Sequence, residues 1–442
     1  MVVSRSFPAF SYDYLETCII VATRDDAMAI SLRRVTVAVL AIYIVLTCYT
    51  AYVLISKNYS SKPKESGRKG PSRLSGSKEG AEWNPWGEEL SRSNSSRLAH
   101  TIEIWGKAAI GLYLWEHIFN GKLEPKGDGS WSYGFRKVGN LKFKFRTGPW
   151  IVPTTVPQDV THVVLVLNGR EPTKVTAARA WLDALPSFRR LKGVAVVLLG
   201  DEACSANTWL LPYLKSHGGR VSAAFIVYDT PLVDDVEVFQ WPLGVATYRG
   251  FPKAPSTLLA SEGQRPYPCN FVGTVYPGSS REELLRVLGD RGAPCYLNTR
   301  NEWRPLETKE SLESYLLALK LSDVTLNPAG KNPECYRIYE ALEFGSLPVL
   351  EDRTVSPGCA RADDANGTFR LLKKHKAPLV FVKNWTLELM PILEKEIGMK
   401  PQERVDRRQA IVSWYSSFKR AMRDRFVRVL TDKFFGEEIK DT

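Results

Sequence analysis

Two side chains of opposite charge, Arg337 and Glu340, lie three residues apart, shortly after a loop that contains Gly330. On a helix, that spacing places both side chains on one face. The arginine can neutralise a diphosphate, the glutamate can accept hydrogen bonds from two ribose hydroxyls, and the glycine lets the backbone approach a ligand closely. The pair predicts a nucleotide-sugar site. The alternative is an ordinary crossover helix with a surface ion pair.

The stretch Ser322–Asp352 must position this pair, and its pattern predicts a strand, a glycine loop, a helix and a second strand. Val324–Leu326 and Leu347–Leu350 are the two strand patterns. Asn332 is a good N-cap with a proline after it, and Gly345 ends the helix. Such a helix start presents free N–H groups and a positive dipole end to a phosphate.

A second glycine turn precedes this unit and ends another strand pattern. A helix is expected to begin just after it, at Ser279, and its N-terminus would hold a diphosphate beside Arg337. An ordinary capped helix explains the same pattern equally well. The expected donor-binding residues are Gly273, Thr274, Arg281, Gly330, Arg337 and Glu340.

Acidic residues follow three buried-strand patterns earlier in the chain, in Val163–Glu171, Val194–Glu202 and Ala223–Pro231. Helical stretches separate these patterns, as in a parallel α/β sheet, where ligands bind beyond the carboxyl ends of the strands. A direct displacement at a sugar needs a group that takes the acceptor proton. Most strand-end acids only form turns. The candidate bases are Asp229, Asp235 and Glu202, with Glu171 and Asp201 also at strand ends.

Basic residues alternate along the predicted strand Leu141–Arg146, which places Lys142, Lys144 and Arg146 on one face. We expect these three, together with Trp241, to contact an acceptor phosphate and to line the cleft. A solvated strand face and a core tryptophan are the simpler explanations. Four further helices are predicted, at Ile102–Phe119, Leu312–Leu321, Leu387–Ile397 and Gln409–Phe435, and a strand at Pro378–Val382.

The net charge of +12 indicates an acidic partner, and the chain has no nucleic-acid-binding motif, so a membrane surface or an anionic glycan is favoured. The seven cysteines form no CxxC pair or His/Cys cluster, which argues against structural zinc. Cys18 and Cys48 precede or lie in a hydrophobic segment. The other five allow at most two disulfides and leave one thiol.

That hydrophobic segment, residues 35–55, contains no charge and is long enough to span about 30 Å of hydrocarbon. No cleavage site follows it, so we expect a signal anchor. It would separate a cytoplasmic tail, 1–34, from a Ser/Gly/Lys-rich flexible stem, 56–81. Flanking charges leave the orientation open. Four glycosylation sequons, all on the C-terminal side, favour a luminal C-terminal region: Asn58, Asn94, Asn366 and Asn384.

Five segments give the chain a resemblance to exostosin-like GT-B glycosyltransferases over residues 82–442: Glu82–Trp86, Ile104–Phe119, Val163–Glu171, Asp235–Arg249 and Glu334–Ala341. The resemblance implies an α/β, GT-B-like fold with two Rossmann-like domains facing a cleft. An acceptor-side domain would span 82–250 and a nucleotide-sugar-binding domain 251–442, closed by a C-terminal helix that braces the first domain.

The same resemblance implies a type II Golgi enzyme that transfers xylose from UDP-xylose, with inversion, to ribitol-5-phosphate on the O-mannosyl glycan of α-dystroglycan. It also implies fukutin and fukutin-related protein as candidate partners. No essential metal is expected, because GT-B enzymes generally hold the donor without one, and Asp235-Val-Glu237 replaces an expected D-x-D. Two alternatives stay open: a transferase for another UDP-sugar, and a non-catalytic membrane scaffold for dystroglycan-modifying enzymes.

Overall fold

The computed structural model describes residues 100–253, 264–304, 308–353, 359 and 368–440. The predicted tail, membrane segment and stem lie outside these ranges, as do Asn58, Asn94 and Asn366. Within the described ranges, no helix combines the length and the apolar character needed to cross a bilayer. We call residues 100–253 the N-terminal half and residues 264–440 the C-terminal half.

An eight-stranded sheet forms the N-terminal half, in the order β2-β3-β4-β1-β5-β6-β7-β8. Its strands are β1 (His100–Trp105), β2 (Glu124–Lys126), β3 (Trp131–Val138), β4 (Leu141–Thr147), β5 (His162–Asn168), β6 (Gly193–Leu199), β7 (Val221–Val227) and β8 (Val238–Trp241). The six strands from β4 to β8 are parallel, β3 pairs antiparallel with β4, and β2 pairs antiparallel with β3 at the edge. The three predicted buried strands are confirmed as β5, β6 and β7.

The predicted helix Ile102–Phe119 is wrong in its first part, because Ile102–Trp105 belongs to the central strand β1. Gly106 ends that strand with φ +141°, and a Cβ there would lie 2.2 Å from the carbonyl oxygen of Val166. Helix α1 begins only at Ala109 and continues beyond Leu112 as a π-helical segment to Ile118. Apolar spacing that suits a helix also suits a strand buried on both faces.

The C-terminal half contains a five-stranded parallel sheet in the order β10-β9-β11-β12-β13. Its strands are β9 (Tyr267–Thr274), β10 (Tyr296–Arg300), β11 (Ser322–Asn327), β12 (Leu347–Glu351) and β13 (Val380–Val382). The helices are α2 (Pro172–Asp183) in the N-terminal half, then α3 (Ser280–Asp290), α4 (Lys309–Leu321), α5 (Tyr336–Glu343), α6 (Arg370–Lys374), α7 (Trp385–Gly398) and α8 (Pro401–Lys440). The α/β class and the two mainly parallel sheets agree with the sequence-based expectation.

The long helix α8 packs back on the N-terminal half, as expected. Phe426 contacts the rings of Phe119, Phe225 and Trp241 at centroid distances of 5.8, 4.7 and 5.4 Å. The same helix also packs against α5, through contacts such as the Lys419–Glu343 ion pair at 2.6 Å. One helix therefore buries apolar surface against both halves.

Two disulfides join the described cysteines, and Cys335 is the remaining free thiol among them, as the count predicted. Cys204–Cys359 connects the two halves across 155 residues of chain, whereas Cys269–Cys295 closes a loop with a separation of 26 within the C-terminal half. In the chain-entropy model, the longer loop restricts the unfolded state more.

We expect the Cys204→Ser/Cys359→Ser variant to lose about 2–5 kcal/mol of unfolding free energy. The matched control, Cys269→Ser/Cys295→Ser, should lose about 1–2 kcal/mol less, because the loop that it opens is shorter. Denaturant unfolding of both variants measures the difference. An equal or larger loss in the control would contradict this account.

Candidate functional site

A cleft with a volume of about 690 Å³ lies between the two halves and is lined by both. The N-terminal half contributes residues that follow β5, β6 and β7, among them Arg170, Glu202 and Tyr228. The C-terminal half contributes residues that follow β9 and β11. The cleft therefore opens at the carboxyl ends of parallel strands, where α/β sheets bind ligands. All six expected donor-binding residues line it: Gly273, Thr274, Arg281, Gly330, Arg337 and Glu340.

Arg281 and Arg337 converge on the cleft from two different helices. Arg281 Nη1 donates to the carbonyl of Thr274 at 2.7 Å, and Arg337 Nε donates to the carbonyl of Val272 at 3.1 Å. The Arg337 guanidinium also lies over the ring of Phe271, 5.0 Å from its centroid. Backbone carbonyls and an aromatic face therefore aim both guanidiniums.

Glycine provides the room for both cations. A Cβ on Gly273 would lie 2.6 Å from Arg337 Nη2, and one on Gly330 would lie 2.7 Å from Arg281 Nη2. The sequence predicted that Gly330 would let the backbone approach a ligand. In the structure they let the guanidiniums approach the backbone.

Within the part of the chain that the structure describes, neither arginine of this pair forms a salt bridge with a carboxylate. Burial and the neighbouring Arg337 lower the pKa of Arg281. Arg281 Nε is buried without a hydrogen-bond partner in the same described part. Two close cations in a partly desolvated cleft favour an anion that bridges them.

Glu340 is buried, with 4% of its surface exposed, and both of its oxygens are already fixed. Oε1 accepts from the backbone N–H of Ala246 at 3.0 Å, and Oε2 accepts from the Tyr315 hydroxyl at 2.6 Å. Burial raises the pKa of Glu340, and these two hydrogen bonds oppose the rise. Each carboxylate oxygen has a second lone pair, so Glu340 can still accept from two hydroxyls.

The helix that carries Arg337 and Glu340 starts later than predicted. Its N-cap is Cys335, not Asn332. The side-chain Oδ1 of Asn332 instead accepts from the N–H of Glu334 at 2.9 Å, and its side-chain Nδ2 donates to the carbonyl of Glu202 at 2.8 Å. Asn332 therefore orders the loop and joins it to the N-terminal half.

Asp229 does not line the cleft. It accepts from Gln240 Nε2, from the N–H of Phe369 at 2.7 Å and from Arg370 Nε at 3.2 Å. Both oxygens are thus engaged, two of the donors belonging to the C-terminal half, and the carboxylate acts as a clamp between the halves. This placement corrects the expectation that Asp229 projects into the cleft as a base.

The other expected site residues divide between the cleft, the core and the surface. Asp235 lies outside the cleft lining, in ion pairs with Lys374 and Arg425. Trp241 is fully buried between Phe225 and Phe426, which corrects the expectation that it lines the cleft. Glu202 does line the cleft, 3.3 Å from Arg170.

The predicted acceptor-phosphate strand is also outside the cleft lining. Lys144 and Arg146 face Glu103, at 3.9 and 2.9 Å, so their charge is partly neutralised. Lys142 lies on the same strand, β4, two residues before Lys144. Lys142, Lys144 and Arg146 therefore lie apart from the cleft that the donor-binding candidates line.

Sequence reasoning missed Arg170, Tyr228 and Glu334 as cleft residues. The Arg170 guanidinium donates to the Tyr228 hydroxyl and lies over the rings of Tyr228 and Tyr336, 5.6 and 5.8 Å from their centroids. Tyr228 has φ +71°, a conformation that is uncommon for a bulky residue and is concentrated at functional sites. Arg170 and Glu334 could have been found as polar residues in the loops after predicted strands; nothing in the sequence indicates the backbone of Tyr228.

Two family models match this chain. The family described as the RXYLT1 N-terminal domain matches residues 102–242, and the RXYLT1 C-terminal domain matches residues 248–435. Among solved structures, the catalytic domain of Starch Synthase IV from Arabidopsis thaliana, bound to ADP and acarbose, has a TM-score of 0.38 at 8% identity, over 75% of this chain and 99% of that chain.

Ribitol-5-phosphate xylosyltransferase 1 from Danio rerio is 43% identical to this chain over 430 residues, which cover 91% of this chain and 98% of that protein. The Homo sapiens protein of the same name is 41% identical over 439 residues, 92% of this chain and 99% of that protein. Identity at this level over nearly the whole length shows that the chain belongs to the ribitol-5-phosphate xylosyltransferase 1 family.

Proposed function

We propose that this protein is a GT-B-like, inverting glycosyltransferase that moves xylose from UDP-xylose to ribitol-5-phosphate on the O-mannosyl glycan of α-dystroglycan. Its family membership supports a nucleotide-sugar donor and a glycan acceptor. The observation that carries the proposal is the convergence of Arg281 and Arg337 beside Glu340 in one cleft. A nucleoside diphosphate offers the anion and the diol that these three side chains can bind.

The donor fits the cleft in one orientation. In our proposal the diphosphate lies between Arg281 and Arg337, and the ribose lies on Glu340. The uracil then reaches the aromatic end of the cleft, which is lined by Tyr248, Phe251, Trp303 and Tyr315. The xylose is left at the opposite end of the diphosphate, facing the N-terminal half.

The two arginines also serve the chemical step. As the bond between xylose C1 and the diphosphate breaks, negative charge grows on the leaving UDP. Guanidiniums already aimed at that charge stabilise it without reorganisation. We propose that they do so with no essential metal. Within the described residues, no group of three His, Cys, Asp or Glu side chains is arranged to hold a metal ion.

We further propose the Golgi membrane as the location, with a type II anchor at residues 35–55 and a luminal catalytic region. Asn384 is exposed at the N-terminus of α7, where its Oδ1 accepts from the N–H of Leu387 at 3.1 Å. The side-chain nitrogen that a glycan would modify is not used in that bond. Fukutin and fukutin-related protein are proposed partners on the same glycan.

Incubation of the purified protein with UDP-xylose and a ribitol-5-phosphate-bearing acceptor tests the proposed function. We expect mass spectrometry to show the acceptor with one added pentose. Parallel reactions with other UDP-sugars test donor choice. Transfer of a different sugar would replace xylose in the proposal, and UDP binding with no transfer of any sugar would favour the scaffold alternative.

Arg337→Ala and Arg281→Ala should each weaken UDP binding by about 1.5–3 kcal/mol, roughly 10- to 150-fold, because each removes a charge-assisted contact to phosphate. Isothermal titration calorimetry with UDP measures the loss. Arg286→Ala is the matched control, since Arg286 lies on the same helix as Arg281 and pairs with Asp290 in solvent. Unchanged UDP affinity in a folded Arg337→Ala protein would show that the arginine pair is structural.

The proposed topology predicts that the region after residue 55 resists added protease in intact microsomes and is digested after detergent treatment. An epitope at the C-terminus reports the result by immunoblot. Digestion of the C-terminal region in intact vesicles would contradict the luminal assignment.

A further inference from the structure

We propose that Glu334 is the catalytic base that takes the proton from the acceptor hydroxyl, an inference that rests on the transferase function proposed above. The sequence-based candidates were the acids at the ends of strands in the N-terminal half. Glu334 instead belongs to the loop between β11 and α5 in the C-terminal half, three residues before Arg337.

The carboxylate of Glu334 is held by one oxygen only. Oε1 accepts from the backbone N–H of Leu243 at 3.1 Å and from the Tyr339 hydroxyl at 2.6 Å. Within the described part of the chain, no donor bonds to Oε2. The residue is 8% exposed, and what is exposed lines the cleft. A fixed carboxylate with one uncommitted oxygen, on a residue that lines the cleft, has the geometry that a general base requires.

Glu334 also lies where the two substrates must meet. Its N–H donates to Asn332, whose amide contacts the carbonyl of Glu202 in the N-terminal half. Leu243, which donates to its Oε1, lies two residues after the end of β8 of that half. Glu334 is therefore at the boundary between the donor-binding arginines and the half expected to hold the acceptor.

The surroundings of Glu334 suit proton acceptance near neutral pH. The pKa of Glu334 is raised to about 7, mainly by burial. The negative charge of Asp229 also raises it, whereas the hydrogen bonds from Tyr339 and Leu243 and the charge of Arg170 lower it. Tyr113 on α1 and Tyr228 after β7 are the other titratable groups that interact with it. A base with a pKa near the working pH is efficient, because it is ionised yet accepts a proton readily.

The other acidic residues considered fit this role less well. Asp229 has both oxygens engaged, and Asp235 lies outside the cleft in two ion pairs. Glu202 faces the Arg170 guanidinium, which competes for its negative charge. Glu171 lines the cleft but is exposed to solvent at the start of α2.

The proposed step balances without an external reagent. The acceptor O–H bond breaks as its proton passes to Glu334 Oε2, and the oxygen lone pair forms the new bond to xylose C1. The bond from C1 to the diphosphate oxygen breaks, and UDP leaves with that electron pair. Attack opposite the leaving group inverts C1. Glu334 then releases its proton to solvent.

Glu334→Gln is the direct test in the full-length protein. The glutamine carbonyl oxygen can still accept from Leu243 and Tyr339, but the amide cannot take a proton. We expect xylose transfer to fall about 100- to 10,000-fold while UDP affinity by calorimetry stays unchanged. Turnover near wild type in this variant, or a collapse in Glu202→Gln or Glu171→Gln alone, would overturn the assignment.

A pH profile separates a base from a merely structural glutamate. Since the base must be ionised, wild-type kcat/KM should fall tenfold per pH unit below about pH 7. Glu334→Asp should keep an acidic limb at reduced rate, and this variant also serves if Glu334→Gln fails to fold. If the residual activity of Glu334→Gln falls at acidic pH as it does in the wild type, the proposal is contradicted. Wild-type protein that binds UDP but transfers no sugar would instead contradict the transferase function itself.

Discussion

Two guanidiniums that converge on one cleft, neither in a salt bridge within the described residues, are the physical constraint on which the rest of the site depends. Burial and the neighbouring Arg337 both disfavour the charged form of Arg281. The fold tolerates the repulsion because backbone carbonyls orient both guanidiniums, and Gly273 and Gly330 leave room for them. The diphosphate that we propose to bind between them would relieve the repulsion.

Because residues of both halves form the site, the two halves must keep a fixed relative position. The Cys204–Cys359 disulfide, helix α8 and the loop contact from Asn332 to Glu202 all cross between them. Asp229 belongs to the same set, since its oxygens accept from Phe369 and Arg370. These links keep Glu334 and the arginine pair in fixed relation to whatever the N-terminal half binds.

Much of the fold could be predicted because parallel α/β sheets leave strong local patterns. Buried strands such as His162–Asn168 appear as continuous apolar runs, and the glycine loop before Arg337 marks a ligand site. The sequence pattern gave wrong predictions where contacts between distant parts of the chain determine the structure. Ile102–Trp105 forms a central strand and not a helix. Asp229 lies outside the cleft because donors from the other half bind its carboxylate oxygens. Glu334 was overlooked because only the structure shows that it lines the cleft and that one of its oxygens accepts no hydrogen bond within the described residues.

A structure of the protein with bound UDP shows directly whether the two arginines bind the diphosphate. We predict that the diphosphate lies within hydrogen-bond distance of both Arg281 and Arg337, and that the ribose hydroxyls donate to Glu340. The uracil should lie among the aromatic residues near Tyr248 and Tyr315. A nucleotide bound elsewhere, or one whose diphosphate contacts neither arginine, would contradict the account.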